Sequence, residues 1–327
     1  MTSFFRKFFG LAPARTAELA VFGKHPGWDD HIDDIGLNTD RLISVRRILY
    51  LEGIGRNIDS GDWDRLPVEQ QIDFGHEFAW IHSTDVVVGR LWTSSDGKGR
   101  NRYPMVAAAQ CEGRSLSWAV REVLPRLEKL EADCRQANEA SRIVQLAQGV
   151  QRDLATSASI SAPDRPALVR TPLARLAECG DLGVGQSGLV SLIYHMEKDM
   201  PAFFHGTHEE RSDARLRPAH VRVPRCVPTP SDAILLWSSF FRTFLAPDVP
   251  ILLFAPTTGR WVDVIVGEPT ASEFFCLRAS TQATALTTDI PYTVDEGFVN
   301  RVRRMIVAAG GTVDQGAPEA TPNSAAP

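Results

Sequence analysis

The sequence predicts an α/β fold: a three-layer α/β/α sandwich around a mixed, largely antiparallel central sheet, with a helical insertion at about 115–215. Three observations lead there. Strand-like apolar runs fall in two blocks, at about 18–111 and 250–279, and the connections among Glu77–Cys111 and among Pro250–Ala279 are too short for parallel crossovers. Apolar stripes spaced by three and four residues lie between and after these runs. Neither block alone offers a closed core, so one sheet covered by helices on both faces is expected in place of two independent domains.

The elements follow in order. Residues 1–16 read as a mobile leader in which Phe4, Phe5, Phe8 and Phe9 flank Arg6 and Lys7. A tail tucked onto the body outweighs an interfacial turn that meets a membrane or partner. Glu18–Gly23 is a strand, and the loop GKHPGWDDHIDDIGL follows it. Asp40 is placed to cap a helix running to about Asp59, with Leu42, Val45, Ile48 and Leu49 on one face and Glu52–Arg56 as an i,i+4 pair. Glu77–His82, Asp85–Trp92 and Tyr103–Cys111 are antiparallel strands, and the loop Ser94–Arg102 joins the last two.

Leu116, Val120, Val123, Leu127, Leu130 and Cys134 form a helical stripe, in which Pro125 predicts a kink or break near Val123. Residues 139–200 are mostly helical, interrupted by a polar break at Thr156–Pro166 and resuming at Gln186–Met200. His205–Arg217 is a surface excursion. Thr229–Leu245 is a buried helix, apolar nearly all round through Ile234, Trp237, Phe241 and Phe244. Pro250–Ala255, Trp261–Val266 and Phe274–Ala279 are strands, and Asp295–Ala309 closes the fold as a helix with an acidic start that suits the helix dipole. The sandwich therefore spans 17–309, and the apolar-poor tail 310–327 is expected to be disordered.

Composition narrows the function classes. The 327 residues carry a net charge of -5, with 43% hydrophobic and 23% charged residues, and the pI is near 5.9. That balance gives no global attraction to nucleic acid or to an anionic membrane, and no basic-aromatic interleaving recurs. The stretch Ala233–Pro256 is broken by Ser238, Ser239, Arg242, Pro247, Asp248 and Pro250, so no transmembrane segment is expected. Cys111, Cys134, Cys179, Cys226 and Cys276 are scattered without a CxxC pair, which argues against a disulfide scaffold or structural zinc and fits a cytoplasmic protein.

Several constellations invite a chemical reading. His25, Asp29, Asp30, His31, Asp33 and Asp34 are ligand types crowded on one loop, the basis for an alternative as a metal-dependent hydrolase. No HExxH or HxH spacing fixes two of them on one face, so a solvated loop with local turns outweighs it. Gly183, Gly185 and Gly188 match GxGxxG by letter, but the preceding LARLAECGD reads as helix, so a helix cap and turn outweighs a dinucleotide loop. Ser95 and Lys98 form SxxK, which requires a helix that Gly97 and Gly99 oppose. His205, His208, Glu209 and Glu210 offer an exposed, adventitious metal cluster at most. No catalytic residues and no cofactor are expected.

Two motifs carry a family resemblance. Phe22-Gly23-Lys24, then Pro26 and Asp30, is similar to the N-terminal "GK-x-P-x-x-x-D" signature of the TagF family of type VI secretion. Ser94, Asp96, Gly99, Arg100, Tyr103, Pro104 and Met105 resemble that family's S-x-D-x-x-G-R followed by aromatic-Pro-hydrophobic. The likeness covers 17–111 well and 219–309 loosely. It implies a cytosolic, post-translational repressor that binds an FHA-domain protein or another regulator beside a threonine kinase and phosphatase. Physically, Asp30 and Asp96 sit on loops at neighbouring strand ends with Arg100 in reach, and Gly23 and Gly99 permit close approach or positive φ.

Overall fold

The computed structural model describes residues 15–83, 85–160, 171–183, 187–205, 209 and 216–313. Expectations for 1–14, 161–166, Gly185, His208, Glu210, 211–215 and 314–327 lie outside the described residues.

Among the described residues the chain forms a seven-stranded sheet, β1 (Thr16–Gly23), β2 (Gly75–His82), β3 (Asp85–Thr93), β4 (Pro104–Glu112), β5 (Ala219–Pro224), β6 (Ile251–Pro256) and β7 (Trp261–Val266). Its order is β1-β4-β3-β2-β6-β7-β5. All six pairings are antiparallel, so the sheet goes further than the largely antiparallel one expected. The two strand-rich blocks join in it through β2 and β6, with Phe78 opposite Phe254.

Both faces are buried, which makes three layers. One face, with Leu19, Val21, Ala79, Val88, Ala107, Val221 and Val264, packs under the insertion and the two C-terminal helices. The insertion comprises α2 (Leu116–Trp118, a π-helical Ala119–Val123, then Leu124–Gln136), α3 (Ala140–Ile160), α4 (Pro172–Ala177), α5 (Ser187–Asp199) and α6 (Pro201–His205). The C-terminal helices are α7 (Pro230–Phe244) and α8 (Glu296–Ala308). The opposite face, with Phe22, Phe78, Trp80, Leu91, Phe254 and Ile265, is covered by α1 (Asp40–Val45, a π-helical Arg46–Gly55, then Arg56–Asp59) and by Phe274, Cys276 and Leu277.

Local details correct several expectations. Thr39 caps α1 in place of Asp40, accepting from the Leu42 N–H. Glu52 pairs with Arg47 at 2.6 Å, not with Arg56, because the π-helical stretch changes the angular offset between residues. The irregularity foreseen at Pro125 is the π-helical turn that ends one residue before Leu124. Thr156–Ile160 stays helical as the end of α3. Phe274–Ala279 is a 3-10 turn over Glu273–Arg278: it caps the face of the sheet, where a strand has no edge to pair with. β5 has no counterpart in the expectations.

The sheet edges are closed. Beside β1, the Gln151 side-chain amide accepts from Leu19 N–H (2.6 Å) and donates to Ala17 O (3.0 Å), taking the place of a neighbouring strand. Beside β5, Arg222 N–H donates to Thr287 Oγ1 at 3.1 Å. Cys179 and Cys226 form a disulfide across 47 residues, which the scattered spacing argued against. Tertiary proximity, not sequence spacing, decides such a pair. Among the described residues no helix is long and apolar enough to cross a membrane.

Candidate functional site

The two motif loops meet at the end of β1 and β4. Gly23, at φ +114, closes β1 with its backbone against Pro104, where a Cβ would lie 2.3 Å from the Pro104 carbonyl oxygen. That closeness lets Lys24 N–H donate to Pro104 O at 3.1 Å and Ile32 N–H to Gly23 O at 2.8 Å. Pro26 then sits at the second position of a turn closed by Trp28 N–H to His25 O (3.0 Å), where its fixed φ is preorganised. The loop between β3 and β4 folds on itself through Gly99 N–H to Asp96 O (2.9 Å). Gly99 has φ +77 with open space around it, so it is required for conformation, not for close approach. Gly97 N–H donates to Trp28 O at 2.7 Å, which stitches the two loops together.

Charge completes the junction. Lys24 is buried and its ammonium stands between two carboxylates, bonded to Asp30 and, at 2.9 Å, to Asp96 Oδ2. The Asp96 side chain is fully buried and receives Lys98 N–H (3.0 Å), Arg100 N–H (3.0 Å) and Arg100 Nε (2.7 Å) besides Lys24. Burial alone would raise the Asp96 carboxyl, but these four donors outweigh it and hold it well below the usual carboxylate range. Arg100 reaches on to Asp29 O (2.8 Å) and Asp30 Oδ1 (3.2 Å). The bond to Lys24 keeps Asp30 below its ordinary value too.

The structure thus brings Lys24, Asp30, Asp96 and Arg100 into one network, on the frame of Gly23, Pro26, Gly99 and Pro104. Ser94 is half-buried at the loop's start and outside that network. Tyr103 lies edge-on to His31 (5.3 Å between ring centroids) and tilted against Tyr50 (5.5 Å). Lys24 was part of a motif in the sequence; its bridging role needs the folded loops to be seen. Tyr50 and His31 were missed as members of this aromatic wall. The rim is open to solvent: Asp30 is 67% exposed, Arg100 54% and His31 40%.

The crowded loop offers no ligand set for a metal. His25 uses both ring nitrogens, with Nε2 on Cys134 O and Nδ1 accepting from Gly27 N–H, each at 3.0 Å. Asp33 accepts from Trp28 Nε1 (3.2 Å), and Asp34 lies 2.7 Å from Arg46. Among the described residues, one group of three metal-ligand types converges elsewhere: His220, Asp263 and Cys276. Asp263 there is already saturated by His220 Nε2 (2.7 Å), Arg222 Nε and Nη2 (2.7 and 3.0 Å) and Trp261 Nε1 (3.0 Å). A dication would sit against a fully buried guanidinium, so this cluster is a clamp: Arg222 also holds the carbonyls of Ser280, Thr284 and Cys276.

No family model matches the chain, and no curated protein does. Among solved structures, it is similar to the crystal structure of PA0076 from Pseudomonas aeruginosa PAO1, at 14% identity and a TM-score of 0.38, over 85% of this chain and 99% of that one.

Proposed function

We propose that this chain is a cytoplasmic regulatory binding protein of type VI secretion, akin to the TagF family, which represses secretion after translation by contacting an FHA-domain component or another regulator of the system. The observation that carries the reading is the junction of the two motif loops. Residues of both signatures, Lys24 and Asp30 from one and Asp96 and Arg100 from the other, share one hydrogen-bonded network.

Binding is favoured over catalysis because the buried carboxylate at the centre of this junction, Asp96, is consumed. Asp96 is buried under four donors and held ionised, which leaves it neither proton to give nor lone pair facing solvent. What the junction does supply is a rigid, wet rim of mixed charge, in which Asp29, Asp30, Lys98 and Arg100 present both signs within one short arc. Such a rim sets specificity and encounter rate in protein association. The metal-dependent hydrolase reading finds no support in the bonding of His25, Asp33 and Asp34.

A pull-down with tagged full-length protein from the native cytosol tests this. An FHA-domain or other type VI component should be enriched over a control bait. Recovery of neither, under conditions that preserve known complexes of that system, overturns the proposal.

A further inference from the structure

We propose that Cys179 and Cys226 form a reversible thiol–disulfide exchange site that fastens the helical insertion to the β5 end of the sheet and is addressed by a low-molecular-weight thiol. Cys179 follows α4 and Cys226 follows β5, and both line a cleft of about 520 Å³ together with Glu178, Asp181, Arg225 and Arg260. The contrast with the other three cysteines is sharp. Cys111, Cys134 and Cys276 are free and buried, and burial pushes the Cys134 thiol up to about 12 and the other two upward as well. The paired cysteines are instead half-buried residues that line an open cleft, the route by which an attacking thiolate would reach them.

Two further features favour exchange. Arg225 and Arg260 line the same cleft and supply positive charge there, which Glu178 and Asp181, the latter 3.5 Å from Arg260, offset in part. Cys226 also stands at φ +59, one of two non-glycine residues with positive φ among the described residues. A side-chain-bearing residue is disfavoured there, so the bonded form carries Cys226 in a backbone conformation of some cost. That backbone leads directly into α7, whose Trp237 Nε1 donates to Pro224 O at 2.8 Å.

The chemistry balances with two equivalents of thiol. One thiolate attacks a sulfur of the pair, forms a mixed disulfide and expels the other cysteine as thiolate. A second thiolate attacks the mixed disulfide and leaves as the oxidised small-molecule disulfide. Two electrons pass to the protein, and its two thiolates take up protons from solvent.

The test is equilibration of the folded full-length protein in glutathione buffers from fully reduced to fully oxidised, followed by trapping with excess maleimide at neutral pH without denaturant and mass spectrometry. Two thiols should titrate together without denaturant, while Cys111, Cys134 and Cys276 label only after unfolding. Amide exchange at 177–183 and 224–229 should rise several-fold in the reduced form. The variants Cys179→Ser and Cys226→Ser should each take up one glutathione at the remaining partner. A pair that stays oxidised until the protein is denatured, or stays a dithiol in the most oxidising buffer, overturns the proposal.

Discussion

The β1/β4 loop junction and the Arg222–Asp263 clamp use the same device and end in different roles. Each centres on a fully buried carboxylate, Asp96 in one and Asp263 in the other, saturated by cationic and N–H donors. Around Asp263 the partner cation is sealed as well, and the donors left over on Arg222 hold carbonyls of the 273–289 segment against the sheet. Around Asp96 the network runs outward through Lys24 and Arg100 to Asp30, which faces water. A buried charge with every partner inside is a structural staple; one whose chain of partners surfaces can pass its rigidity to a rim that meets something else.

Variants that break each region should differ in size of effect. Arg222→Met leaves Asp263 as a buried carboxylate without its cation, and should cost about 3–5 kcal/mol in urea unfolding. The double variant Arg222→Met/Asp263→Leu should recover much of that loss. If the single variant were near wild type, the clamp would not be the staple described.

Titration separates the regions next. His76 shares the buried layer with Asp263; its Nδ1 accepts from Gly75 N–H, so the proton lies on Nε2, which has no partner. Burial lowers its pKa from 6.5 to about 4. A base with a depressed folded pKa binds fewer protons folded than unfolded, so stability falls as pH drops from 6.5 to 4, by about 3 kcal/mol in all. His76→Gln should flatten that slope. The Asp96 junction loses stability in the same direction but in a lower window: its carboxyl is depressed, so its contribution is intact above the unfolded pKa and is lost only below about pH 4.

Within the junction, Lys24→Met should cost about 2–4 kcal/mol, less than Arg222→Met because Arg100 still faces Asp96. Arg100→Ala, at an exposed position, should cost only about 1 kcal/mol or less, while removing a charge from the rim. Denaturation curves for both variants sharpen the division between the inner and outer parts of the network.

Much of this architecture is legible in the sequence because its signals are local. The stripe from Leu116 to Cys134 and the short links around Asp85–Cys111 specify period and pairing without any distant information. β5 was hidden because Arg222 interrupts Val221 and Val223, and only Asp263, 41 residues away, makes that charge tolerable inside. Phe274–Ala279 misled for a related reason: a short apolar run cannot state whether it joins a sheet or lies across one. At the site, the sequence put Arg100 in reach of Asp30 and Asp96 without deciding between them, and the folded loops let it bond both. The Lys24 ammonium between Asp30 and Asp96 depends on two loops 72 residues apart and had no local signal.

The central claim is that the rim of the loop junction is the surface that binds. It is tested most directly by swapping the exposed pair Asp29 and Lys98, which lie 3.9 Å apart, as Asp29→Arg/Lys98→Glu. The swap keeps an internal ion pair and inverts the rim's charge pattern. With the secretion component recovered by the wild-type protein as ligand, the affinity of the swapped variant should fall at least tenfold while its unfolding midpoint stays within a degree or two. Unchanged affinity in a folded variant would contradict the account and move the binding surface elsewhere.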